Sequence, residues 1–133
     1  MRILFTLFVA AHGLIHLMGY TKAFGLANIQ QLTKEISRPA GIFWLICTLS
    51  FIAVAIFFFF KREWWYFLAV PAIMVSQVLI IQSWPDAKFG TFPNFLILLI
   101  IVSAIAQTRF NKMVNFEIKM LLEQPTVRKE MIT

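Results

Sequence analysis

This chain carries very little with which to meet water. Only 14% of its 133 residues are charged, and acids are scarce, 6 Asp and Glu against 12 Lys and Arg. With 60% hydrophobic and 16% aromatic residues there is too little polar surface to clothe a water-soluble domain, so a soluble globular protein is excluded. The single cysteine, Cys47, excludes an intrachain disulfide and leaves the redox compartment unread. No repeat, low-complexity tract or second domain is visible. No basic stripe runs beside base-stacking aromatics, which excludes nucleic acid as a partner. Histidine is almost absent too: His12 and His16 are the only two.

What is present is apolar runs of membrane length. A hydrocarbon core about 30 Å thick needs roughly 20 apolar residues per helix, and four stretches fit: 3–20, 40–60, 64–82 and 92–107. Arg2 and the small residues Val9-Ala10-Ala11 imitate a cleavable signal, but cleavage there would leave an apolar core of only Ile3 to Phe8. The pattern continues through Leu14, Leu17 and Met18 to Tyr20, so the first run reads as an uncleaved anchor. The expected fold class is all-α: an integral membrane four-helix bundle with an interfacial helix in the first outer loop and an amphipathic C-terminal helix. Its expected organisation is a four-span transmembrane unit over 1–107 and a cytoplasmic amphipathic tail over 108–133.

Orientation follows from Lys and Arg in the short loops. Arg2, Lys61, Arg62, Arg109, Lys112, Lys119, Arg128 and Lys129 share one side, against Lys22, Lys34, Arg38 and Lys88 on the other. The reading is a multi-pass cell inner-membrane protein with both termini cytoplasmic, the net charge of +6 serving topology and attraction to anionic headgroups. Lys61-Arg62-Glu63 makes a minimal hairpin followed by the aromatic anchor Trp64, Trp65 and Tyr66; Trp44 and Trp84 also read as interface anchors, and Cys47 as packing. In the first outer loop, Leu26, Ile29, Leu32 and Ile36 recur at helical steps, which predicts the interfacial helix. Ser37-Arg38-Pro39 opens the next span. The second outer loop, 83–91, mixes turn formers with Asp86 and Lys88. After Gln107, the stripe Phe110, Val114, Ile118, Leu121 and Leu122 predicts a helix resting on the membrane until Pro125 stops it.

Ionisable groups at membrane depth usually face a bundle interior or a wet cavity, so the histidines mark the site. Gly13 and Gly19 leave room for a close neighbour. Ser76 and Gln77 arrive at similar depth from the third helix, which then delivers Gln82, Ser83 and Asp86 at the outer rim, while Thr91 and Asn94 open the fourth. The expectation is a polar pocket on the outer side, with His12 and His16 on one wall and Gln77, Gln82 and Asp86 opposite, Lys88 at its solvent rim. Histidines at i and i+4 share a helix face, so His12 and His16 with Asp86 form a candidate set for a divalent metal. A quinone, hydrogen-bonded by His16, is the other candidate occupant. Intrachain bis-histidine haem is disfavoured, because the facing helices carry no histidine for the opposite axial position. The plain alternative is interhelical hydrogen bonding of both rings to Gln77, Ser76 or backbone carbonyls, at about 1 kcal/mol each.

The stretch Ala11-His12-Gly13-Leu14-Ile15-His16-Leu17-Met18-Gly19-Tyr20-Thr21-Lys22-Ala23-Phe24-Gly25 resembles the first helix of DoxX-like small bacterial membrane proteins. In those, a glycine-leucine pair precedes a polar residue and a basic residue follows; His16 stands where that family often carries lysine. The likeness extends over the four-helix layout, about 100 residues. Residues 37–41 and 83–90 also look similar to uncharacterised bacterial membrane proteins that join such a bundle to a soluble domain, which would make the tail the start of such a connection. DoxX-like proteins are membrane subunits of thiosulfate and quinone redox complexes or of oxidative-stress assemblies, so the resemblance implies a membrane-protein partner or a homo-oligomer. The functional expectation is a polytopic binding or assembly subunit in the lipid bilayer. The enzymatic alternative is a quinone- or metal-linked membrane oxidoreductase centred on the histidine pair, and the residues leave open whether this is an enzyme. A channel has thin support, since the inner half offers only Thr6, Thr48, Ser50, Ser103 and Gln107.

Overall fold

A computed structural model of the chain describes residues 1–123, all-helical and without a strand among them. The long helices are α1 (Arg2–Ala23), α2 (Arg38–Phe59), α3 (Trp65–Gln82) and α5 (Thr91–Glu123), with a four-residue α4 (Trp84–Ala87) and a 3-10 turn (Lys88–Gly90) between the last two. Among the described residues, four helical stretches are long and apolar enough to cross a membrane. The chain forms two compact units that divide between Leu98 and Leu99, inside α5, where the sequence pattern placed a boundary after 107.

In the first unit, α1 packs along α2 and α2 along α3. Two glycines set how closely the first pair approaches. A Cβ on Gly13 would lie 2.8 Å from the Phe51 Cβ, and one on Gly19 would overlap the Trp44 indole. Trp44 is therefore not an interface anchor as its type suggested: it is 4% exposed, wedged against Gly19 and part of a core cluster with Cys47 and Leu79. Leu7, Leu14, Leu49, Phe67, Met74 and Ile81 point outward and are more than half exposed, as lipid-facing positions are.

Helix ends explain where the sequence boundaries shifted. α1 runs three residues past the expected 20, then closes on Gly25 at φ 65°, with Gly25 N–H donating to the Lys22 carbonyl and Leu26 N–H to the Thr21 carbonyl. That paired closure satisfies orphan carbonyls and requires a left-handed residue, which glycine supplies without a Cβ clash. α2 ends the same way, with Arg62 N–H reaching Phe57, but here Lys61 takes the left-handed conformation at φ 56°. Ser37 caps α2, its hydroxyl accepting from Ala40 N–H, with a proline in the first turn.

The expected interfacial helix between α1 and α2 does not form. Its helical spacing yields a single turn, Leu32 N–H to Ile29 O, because the next amides, Thr33 and Lys34, donate to the Asp86 carboxylate rather than to carbonyls four residues back. Only Leu32 of the four apolar residues is fully buried. The segment 83–91, expected as turns, instead folds chiefly as α4 and the 3-10 turn.

The second unit, from Leu99, is helical to Glu123. Nothing at 107 interrupts it: the Ser103 and Thr108 hydroxyls donate to the carbonyls of Leu99 and Ala104 four residues back, and Gln107 donates to Asn111. The stripe of Phe110, Ile118, Leu121 and Leu122 is about half exposed. Pro125, expected to stop the pattern, and Arg128 and Lys129 lie outside the described residues.

Candidate functional site

The two histidines sit on one face of α1, a turn apart, their rings edge to face with centroids 4.7 Å apart. They are 2% and 1% exposed. Apolar rings close one side: Phe51 lies 4.9 Å from His12 and 5.5 Å from His16, and Trp44 lies 5.2 Å from His16. On the other side a polar network joins three helices. His16 Nδ1 bonds the His12 carbonyl at 3.0 Å, and His16 Nε2 bonds Ser76 Oγ on α3 at 2.7 Å. His12 Nε2 bonds Asn94 Oδ1 on α5 at 2.9 Å. Asn94 Nδ2 donates to Ser76 Oγ at 2.9 Å and to Gln77 Oε1 at 3.2 Å, and Gln77 Nε2 donates to Thr91 Oγ1 at 3.0 Å. One atom is left over: His12 Nδ1 is buried without a partner among the described residues.

His12 and His16 also line a cavity of about 250 Å³, walled by Ile15, Met18, Trp44, Ile80 and Pro93 and reaching Asp86 and Leu32. The lining is chiefly apolar with a few convergent polar groups, the usual make-up of a small-molecule site. The loop segment over it is tied down. The Asp86 carboxylate accepts from Thr33 N–H at 2.7 Å, Thr33 Oγ1 at 2.8 Å and Lys34 N–H at 2.9 Å. Lys22 Nζ donates to the Leu32 carbonyl and Lys34 Nζ to the Gln82 carbonyl. The Lys34 amide, then the Thr33 hydroxyl, hold the solvent-accessible Asp86 carboxyl below the usual carboxylate range.

Of the residues expected from sequence, the fold brings His12, His16 and Asp86 to one cavity. Gln77 joins the hydrogen-bond network behind them rather than the cavity wall. Gln82 faces two other surface grooves, and Lys88 is exposed with its ammonium 5.4 Å from the Phe89 ring centre. Sharing a cavity does not make His12, His16 and Asp86 a metal centre. Among the described residues no three His, Cys, Asp or Glu side chains gather as a ligand set. The physical reason is that the Asp86 carboxylate turns to Thr33 and Lys34, and both Nε2 atoms are committed to Asn94 and Ser76.

Asn94 is the residue that sequence reasoning undervalued. It was placed at the mouth of the fourth span without a partner, although a lone amide in the apolar run from Phe92 to Val102 is itself a signal. Leu32 and Trp44 carried no signal beyond apolarity. Ser76 and His16 stand at the distance of a nucleophile and its base, but Ser76 is fully buried and does not line the cavity, so a reacting carbon has no approach to it. The arrangement suits holding a ligand rather than acylating one. Among known proteins, no family model, curated sequence or solved structure matches the chain.

Proposed function

We propose that this chain is a multi-pass membrane subunit that binds the ring or headgroup of a small lipid-soluble molecule in the cavity beside His12 and His16. The observation that carries this reading is an apolar space with an aromatic wall whose lining includes the two buried histidines of α1. A volume near 250 Å³ falls at the small end of ligand pockets, enough for a substituted ring but not for a whole lipid.

The membrane setting of this proposal is the inner membrane, with both termini cytoplasmic and the cavity toward the outer face, on the strength of the Lys and Arg distribution. The likeness of the first helix to DoxX-like proteins belongs to the same proposal and adds a membrane-protein partner or a second copy of the chain. Between the two enzymatic alternatives, the metal-linked one lacks a third ligand among the described residues. A quinone remains within the class of molecules the cavity would take.

The test is mass spectrometry of small molecules extracted from the protein purified in lipid nanodiscs. A near-stoichiometric lipid-soluble molecule that is lost in Ala87→Trp, which fills the cavity from its lining, is the expected result. Bulk lipid only, the same in both proteins, would overturn the proposal.

A further inference from the structure

A second space runs along the first unit where α2 meets α3, and it has two arms of opposite character. The apolar arm, about 560 Å³, is lined by Ala40 and Phe43 of α2 and by Met74, Val75, Val78 and Leu79 of α3. Leu79 is buried, whereas Phe43, Met74 and Val78 are more than half exposed, so the arm is a trough with its floor in the core and its rims turned outward. From Met74 to Gln82 it follows α3 for about 12 Å at 1.5 Å per residue, close to the roughly 15 Å of one leaflet's hydrocarbon. The polar arm, about 260 Å³, shares Ser37, Ala40 and Gln82 with the first, and there Lys34, Glu35 and Ser83 join the lining. Its polar groups are largely unspent. Ser83 is 5% exposed and its hydroxyl has no hydrogen bond among the described residues. Among those residues, His12 Nδ1 alone is a buried side-chain atom both unpartnered and sealed, so the Ser83 oxygen reaches open space, and the polar arm is the space it lines. The Ser37 hydroxyl accepts from Ala40 N–H and keeps its own proton to give. Lys34 Nζ is held by the Gln82 carbonyl with two N–H groups to spare, and Glu35 has no ion pair among the described residues.

We propose that this groove holds one phospholipid with a primary-amine headgroup: an acyl chain in the apolar arm, the phosphate against Lys34, Ser37 and Ser83, and the ammonium against the Glu35 carboxylate. The site rests on the membrane setting above and is independent of what fills the histidine cavity, whose lining includes none of these four residues. The occupant follows from the charges. A phosphate offers acceptors only, and three donors line the arm; α2 begins beside them at Ser37, with no acidic residue in its first turn, and adds the positive end of its dipole. Glu35 then sets the headgroup. Its carboxylate repels a headgroup that carries negative charge alone, and a trimethylated ammonium has no N–H to donate to it. Arg38, which would favour a purely anionic headgroup, lines neither arm. A protein segment is a poorer fit, because its backbone N–H and C=O groups would lie in the apolar arm without partners, whereas a chain of methylenes needs none.

The test is native mass spectrometry of the full chain released from detergent micelles that carry equal amounts of phosphatidylethanolamine, phosphatidylglycerol and phosphatidylcholine with identical acyl chains. One retained lipid per chain is expected, with phosphatidylethanolamine favoured about two- to fivefold, a modest ratio because Lys34 and Glu35 are exposed. Glu35→Gln should bring phosphatidylethanolamine and phosphatidylcholine level. Val78→Trp crowds the apolar arm from its rim and should deplete all three lipids. Both side chains are exposed, so the fold tolerates either change. Equal retention of the three phospholipids by the wild type, or a preference that Glu35→Gln leaves intact, would overturn the headgroup assignment. A lipid retained unchanged by Val78→Trp would overturn the groove as its place.

Discussion

Asn94→Leu should cost more stability than any other polar-to-apolar change in the chain. Its side chain bonds His12 on α1 and Ser76 and Gln77 on α3, so leucine, of similar volume, removes three side-chain partnerships at once. Interhelical hydrogen bonds measured within membranes average about 0.6 kcal/mol and reach about 1.7, so three lost bonds amount to about 2 kcal/mol on the average and about 5 at the upper value. The upper end applies to His12, whose Nε2–H would lie buried with nothing to accept it, while the half-buried Gln77 retains Thr91. The assay is reversible unfolding in mixed micelles, followed by helical circular dichroism, with Thr91→Val as a peripheral control expected to lose under about 1 kcal/mol. Pairing Asn94→Leu with His12→Phe should lose less than the sum of the two, by at least about 0.5 kcal/mol, because the orphaned N–H is gone. A single-variant loss below about 0.5 kcal/mol, or strict additivity of the pair, would refute a network that holds α1, α3 and the start of α5 together.

Gly19→Ala drives a methyl into the Trp44 indole and should destabilise by about 1–3 kcal/mol, with Trp44→Leu recovering part of the loss in the same unfolding assay. Lys61→Gly relieves a left-handed residue at the end of α2 and should stabilise by up to about 1 kcal/mol, read as a shift in the unfolding midpoint. Because the Asp86 carboxyl is held below its ordinary value, its grip on the loop is present above the ordinary carboxylate range near pH 4 and is lost as pH falls through the depressed value. Hydrogen exchange at the Thr33 and Lys34 amides should accordingly accelerate in acid, and in Asp86→Asn should be fast at neutral pH as well.

The long helices were legible because their signal is length and apolarity, which tertiary contacts do not alter. Histidine at membrane depth was legible for a related reason, since no other residue type in α1 from Ile3 to Tyr20 needs so much protein around it. The segment between α1 and α2 was misread because Leu26, Ile29, Leu32 and Ile36 have a helical period, whereas the outcome was decided 52 and 53 residues away by a carboxylate that took the Lys34 and Thr33 amides. Period alone cannot register such competition. Trp44 was misread because tryptophan at a helix start suits a headgroup layer, and only the missing Cβ of Gly19 on a different helix shows that the indole packs inward. Asp86 lines the same cavity as the histidines, but depth along the helices gives no direction: the carboxylate turns to the loop rather than toward the rings. Asn94 shows the same limit, since its position was readable and its bonding to His12, Ser76 and Gln77 was not.

The most direct measurement is a crystal structure of the protein grown from a lipidic mesophase with its native lipids, at a resolution that shows ordered water. The account predicts a compact ring-bearing molecule between Ile15, Trp44 and Ile80, against the His12 and His16 side of the cavity. A cavity filled by water alone, or closed by repacking of Trp44 onto His12, would contradict it.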